Sequence, residues 1–184
     1  DGAPPKEEGA ALFAEICELQ APLVALFLIE PAASLEQVEA ALMGTKGHGK
    51  PVWLALSVDD EDGTKLRSGE ALSGIRPLVD RYGPDAVLLN CSVPEAIADG
   101  LPVLAKIGPP FGAYANGFTG IATGFTSKFS TVAQLSARKD LTPQAYADFC
   151  DTWVESGATI IGGCCEVGPA HIAELSRRLH KVPA

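Results

Sequence analysis

Short, largely apolar runs set between helical patterns constrain this chain more than any other feature. Residues 23–29, 52–58, 86–90, 103–107 and 158–161 each read as a strand without polar alternation. A strand with no polar face is buried on both sides, as in parallel sheets covered by helices. Helical signals lie around these runs. Residues 5–20 place Ala11, Leu12, Ile16 and Leu19 on one stripe. Ser34-Leu35-Glu36-Gln37 is a capping box for a helix ending near Met43. Residues 70–82 read as a helix ended by Gly83-Pro84, and Ser92-Val93-Pro94-Glu95 as the cap of a short one. Thr142-Pro143 opens a helix to Ser156, and Gly168-Pro169 opens the last, to about His180. Residues 108–141 read as one long irregular loop, a length that is often functional. The alternation predicts an α/β fold with a parallel sheet.

Ligands of such folds sit beyond the carboxyl ends of the strands. Glu30, Asp59, Asn90-Cys91 and Gly163-Cys164-Cys165 all fall at those ends. Adjacent cysteines cannot both face a core, and a disulfide between neighbours is strained. Three thiolates from two strand ends suit a soft ion such as Zn2+ and leave one coordination position open. A helix starting after Cys91 places positive dipole near that sulfur and favours its thiolate. Cys17 and Cys150 lie inside helical patterns and read as core residues. Gly162-Gly163 would let the chain turn sharply and let a metal or substrate approach. His48, His171 and His180 have no metal spacing and read as surface residues.

Composition narrows the function further. The 184 residues suffice for one core. With 14 basic and 23 acidic residues the net charge is −9, which argues against a nucleic-acid surface. No apolar stretch approaches the ~20 residues that span a bilayer, and the first residues carry no signal-peptide pattern. The expectation is a cytoplasmic protein with no membrane partner. Five cysteines are too few and odd in number for a disulfide scaffold, which favours metal binding or reactivity.

Several segments, in order, resemble one known family. Trp153-Val154-Glu155-Ser156-Gly157-Ala158-Thr159-Ile160-Ile161-Gly162-Gly163-Cys164-Cys165, continuing to Gly168-Pro169-Ala170-His171-Ile172, resembles the C-terminal signature of the zinc-dependent homocysteine S-methyltransferases. Val87-Leu88-Leu89-Asn90-Cys91-Ser92 is similar to that family's first zinc motif. Phe27-Leu28-Ile29-Glu30 resembles its strand-end glutamate segment, and Tyr114-Ala115-Asn116-Gly117 its Tyr-x-Asn loop. Two positions depart from the pattern: Pro31 stands where Thr is usual, and Glu166 where Gly is usual.

The resemblance implies a (β/α)8 TIM barrel, of which this chain holds about the last five β/α units. A complete barrel needs eight strands and ~250 residues, so residues 1–184 read as the C-terminal part of a homocysteine-binding barrel domain. A missing N-terminal segment or another chain is expected to cover the apolar edge of the first strand. Zinc would be held by Cys91, Cys164 and Cys165. Glu30 would bind the homocysteine amino group, with Asn90 and Asn116 also toward substrate. Asn116 could fill the fourth metal position when substrate is absent. The implied partners are homocysteine and a small onium methyl donor: S-methylmethionine, S-adenosylmethionine or betaine. The alternative is a zinc-binding barrel fragment with a structural role.

Overall fold

Five parallel strands form one sheet in chain order: β1 (Phe27–Ala32), β2 (Val52–Leu56), β3 (Ala86–Asn90), β4 (Phe111–Tyr114) and β5 (Ile160–Ile161). They belong to a computed structural model that describes residues 3–120 and 135–179. The helix α1 (Lys6–Gln20) precedes β1. The helices α2 (Leu35–Thr45), α3 (Arg76–Tyr82), α4 (Pro94–Leu104), α5 (Pro143–Glu155) and α6 (Pro169–Leu179) follow β1 to β5 in turn. The sheet is open, with β1 and β5 at its edges.

One face of the sheet makes the core. Ile29, Leu54, Leu56, Val87, Leu89 and Ala113 cluster with helical residues such as Val38, Ile97, Leu101 and Trp153. Because side chains alternate along a strand, Leu28, Glu30, Trp53, Leu88 and Tyr114 belong to the other face, where they line a pocket. That face is concave. The Tyr114 hydroxyl donates to Glu30 Oε2 at 2.5 Å, from β4 to β1. Three strand spacings in a flat sheet are ~14 Å, beyond what two perpendicular side chains can bridge. The strands must therefore curl toward this bond, a curvature that aligned, right-twisted strands accommodate.

Three expectations need correcting. Residues 103–107 are not a strand, because α4 runs through Leu104. Ile97, Leu101 and Leu104 are fully buried at helical spacing. Pro102 lies inside that helix and disguises the period, since proline ordinarily breaks one. The fourth strand is instead Phe111–Tyr114, inside the expected long loop, of which residues 121–134 lie outside the described residues. Second, residues 70–82 split into a 3-10 turn, Leu72–Ile75, and α3. Third, Ser92 does not cap α4. The N-cap is Val93, without a side-chain bond, and Val93 N–H donates to Asp60 Oδ1 at 3.0 Å.

The helix α1 forms as expected, and its apolar stripe faces outward. Leu12 and Ile16 are each 49% exposed and Leu19 70%, whereas Gly9, Ala10 and Cys17 are buried. Small residues decide the orientation. A Cβ on Gly44 of α2 would collide with the Ala10 carbonyl and Phe13, so the two helices meet through glycine at close range. At the start of α2 the Ser34 cap is made as expected, while the return bond from Gln37 falls on the residue before the cap. Gln37 N–H donates to Ser34 Oγ at 3.2 Å, and Gln37 Oε1 accepts from Ala33 N–H at 2.9 Å. Ser34→Ala is expected to cost ~1 kcal/mol, seen as a lower urea midpoint with unchanged slope.

Candidate metal centre

Two turns at the carboxyl edge of the sheet carry the cysteines. Cys91 follows β3 with φ 50°, in the left-handed region that a non-glycine residue enters at a cost. Its neighbours hold it there. Fully buried Ser92 places Oγ 3.0 Å from both the N–H and the C=O of Val58. Arg67 pairs with Asp60 at 3.3 Å and reaches Ser92 Oγ and the Cys91 carbonyl at 3.4 Å. Cys164 and Cys165 follow β5. The segment after β4 is laced between the two turns: Cys91 N–H to Tyr114 O, Asn116 N–H to Ser92 O, Cys164 N–H to Ala115 O, and Gly117 N–H to Cys165 O, all within 3.2 Å.

Glycine matters here for space more than for φ. Neither Gly162 nor Gly163 has a positive φ; the left-handed residues are Cys91 and Glu166, the latter at 64°. The sharp turn expected of the glycine pair thus belongs to Glu166, where the family pattern has Gly. A Cβ on Gly163 would overlap Val167, and one on Gly117 would come within 2.9 Å of Glu166 Cβ.

The three sulfurs converge. Each Sγ of Cys91, Cys164 and Cys165 lies within 4.8 Å of the others, and Cys164 and Cys165 are 3.9 Å apart. Tetrahedral zinc with Zn–S ~2.3 Å separates its sulfurs by ~3.8 Å, so the donor set and spacing fit Zn2+. The thiols are also unequal. A hydrogen bond from Cys91 pulls the Cys164 thiol down to about 6. The same contact, reinforced by burial, pushes Cys91 up, and burial raises Cys165. One proton leaves the cluster readily while two are held, as closely spaced thiolates require in the absence of a cation.

Beside Cys164 the concave face forms a pocket of about 350 Å³. Glu30, Tyr114, Trp53 and Leu88 line it with Gly162 and Gly163. Burial and then the Glu30 carboxylate raise the Tyr114 hydroxyl, so it serves as a donor. Asn90 and Asn116 are buried next to the cysteine turns, yet Asn90 Oδ1 and Asn116 Nδ2 have no protein partner. Asn116 Oδ1 accepts from Phe118 N–H at 3.0 Å. Asp59, expected at the site, instead accepts from Glu61 and Asp62 N–H within its own loop. A larger cavity of about 540 Å³ lies between Pro4, Phe13 and the end of β1; Glu30 lines it but no cysteine does.

Cys17 and Cys150 are buried as core residues. His48 packs edge-on against Phe27. His171 is not a surface residue: it is part-buried, bonded to Gly168 N–H and Leu141 O. His180 lies outside the described residues. Tyr114 and Tyr146 escaped the sequence reading as site residues. The first had a signal in the Tyr-x-Asn loop. The hydroxyl of the second bridges two backbone groups, Ala115 N–H and Gly162 C=O, which leave no trace in a sequence.

The model of the family described as homocysteine S-methyltransferase matches residues 2–179. A selenocysteine methyltransferase of Astragalus bisulcatus is 27% identical over 135 residues, covering 72% of this chain and 37% of the relative. Homocysteine S-methyltransferase 4 of Zea mays is 25% identical, over 79% of this chain and 41% of its own length. The chain thus spans about two fifths of these relatives. The apo form of the Escherichia coli homocysteine methyltransferase MmuM superposes with a TM-score of 0.71 at 23% identity, over 96% of this chain and 59% of that one. Its metallated form gives 0.67 at 21% identity, over 97% and 56%. At that identity the likeness concerns the fold: an open, parallel α/β sheet that follows part of the MmuM structure. No helix among the described residues is long and apolar enough to cross a membrane. With the family model matching residues 2–179, and the cysteine turns brought together at one end of the sheet, this chain belongs to the homocysteine S-methyltransferase family.

Proposed function

We propose that this chain carries the zinc and homocysteine site of a methyltransferase that moves a methyl group from an onium donor to homocysteine, giving methionine. The observation that carries the reading is the meeting of three sulfurs with a carboxylate-lined pocket. Cys91, Cys164 and Cys165 would hold Zn2+. When bound, the ion supplies deprotonation of a coordinating substrate thiol, which at a free pKa near ~8.5 is mostly protonated at neutral pH. Glu30 takes the substrate ammonium group, and Tyr114 fixes the Glu30 carboxylate through its 2.5 Å bond. Trp53 and Leu88 give the pocket apolar walls. Asn90 and Asn116 offer unpaired polar atoms toward the same substrate. In the reaction the homocysteine sulfur forms a bond to the methyl carbon, and the donor leaves with the electron pair of the bond that breaks. S-methylmethionine, S-adenosylmethionine and betaine are the donors to assay.

The site also calls for a complete barrel, which we place in the cytoplasm. Beyond the exposed stripe of α1, Leu23 is 85% exposed and Leu28, on edge strand β1, 41%. A further β/α segment, or another chain, covers this apolar surface in the proposed (β/α)8 assembly.

The test is zinc analysis of the full-length protein followed by transfer assays with each donor. About one zinc per chain and methionine formation support the reading. In a cobalt-substituted sample, homocysteine should shift the metal's absorption bands by taking the fourth position. Bound metal whose spectrum ignores homocysteine would instead establish a structural site.

A further inference from the structure

The ladder between β4 and β5 lacks one rung of its own. Gly162 N–H donates to Ala113 O at 3.1 Å, and Cys164 N–H to Ala115 O at 2.9 Å. In a regular parallel ladder the rung between these two joins Ala115 N–H to the Gly162 carbonyl. The Tyr146 hydroxyl occupies that place. It accepts from Ala115 N–H at 3.0 Å and donates to Gly162 O at 2.7 Å. One side-chain oxygen is spliced into the sheet, two residues before Cys164.

The inserted group is rigidly held. Tyr146 on α5 is fully buried. Trp153 and His171 pack edge-on against its ring, each with centroids 5.9 Å away. His171 is fixed in turn between Gly168 N–H at 3.1 Å and Leu141 O at 3.0 Å. By contrast, Gly162 and Gly163 have no side chains and the widest backbone freedom of any residue. The path of the chain into Cys164 therefore depends on the few bonds made by its backbone.

We propose that Tyr146 is a positioning residue for the metal centre: its hydroxyl sets the separation of β4 and β5 that brings Cys164 and Cys165 onto Cys91. The proposal rests on the zinc reading above. Without the hydroxyl, Ala115 N–H and Gly162 C=O either stay unpaired or close into a direct rung. Closure draws the start of the Cys164 turn toward β4. Cys91 does not follow, because Ser92, Asp60 and Arg67 hold its turn from the other side.

The experiment compares zinc affinity of the full-length protein and its Tyr146→Phe variant by chelator competition, with cobalt spectra alongside. Outer partners of metal ligands affect affinity by ~10–100-fold. The expected result is a loss of about tenfold or more with altered cobalt bands. Trp153→Phe, which disturbs the same core but spares the hydroxyl, should keep the wild-type spectrum. Wild-type affinity and spectrum in Tyr146→Phe would overturn the proposal. A wild-type protein that takes up no zinc would overturn the metal reading instead. A reciprocal measurement needs no variant, since linkage acts both ways. Zinc should slow hydrogen exchange of the Ala115 amide, and an unchanged rate there would also overturn the proposal.

Discussion

Cys164→Ser is expected to lower zinc affinity by more than ~100-fold and to abolish methyl transfer. The magnitude follows from comparison: loss of an outer partner costs up to ~100-fold, and loss of a ligand must exceed it. Cys164 is also the proposed ligand whose thiol the hydrogen bond from Cys91 holds down to about 6, so the coupled cluster has lost about one proton at neutral pH. Zinc takes thiolates, and affinity therefore rises with pH as the remaining protons become easier to lose. With Cys164 ionised and the Cys91 and Cys165 thiols raised, zinc uptake at pH 7 should release about two protons. Below pH 6, where Cys164 is itself protonated, the number should approach about three and affinity should fall more steeply. Proton release in weak buffer measures this directly. Cys17→Ala, a core change far from the cluster in sequence, should retain zinc.

The cysteine cluster was legible because its chemistry is written in residue types. Two adjacent thiols after an apolar run have few packing explanations, and a third at another strand end completes a ligand set. The parallel α/β pattern was legible for a similar reason, since strands with little polar alternation mark a sheet covered by helices, although β1 leaves Leu28 on an exposed face. What stayed hidden was decided by tertiary contact. Pro102 concealed the end of α4, and Phe111–Tyr114 lacked the β-branched run that marks a strand. Gly112 in that strand leaves room for the Ile160 backbone, which a Cβ there would strike. The direction of the α1 stripe was not legible, because periodicity gives a helix face but not which way it points. Glycine at Gly44 turned the other face inward. Tyr146 was invisible because its hydroxyl bridges two backbone groups of distant segments.

Glu30→Gln is expected to reduce kcat/KM for homocysteine by about 30-fold or more, or ~2 kcal/mol. The estimate is the lower end of the cost of removing one partner from a desolvated charge pair, because Glu30 is exposed on the open face of this chain. The change is well suited to isolate charge. Glutamine keeps an acceptor oxygen for the Tyr114 hydroxyl, whose bond to Glu30 spans β4 to β1. The loss should appear in KM more than in kcat, because the ammonium group is bound alike in ground and transition states. A substrate lacking that group, 4-mercaptobutanoate, gives the decisive comparison. The wild-type protein should use it about as poorly as the Gln variant uses homocysteine, and the Gln variant should lose little more on it. Additive losses would mean that Glu30 and the amino group do not meet. Zinc content should be unchanged throughout, since Glu30 lies in the pocket wall and none of the three sulfurs depends on it for its place.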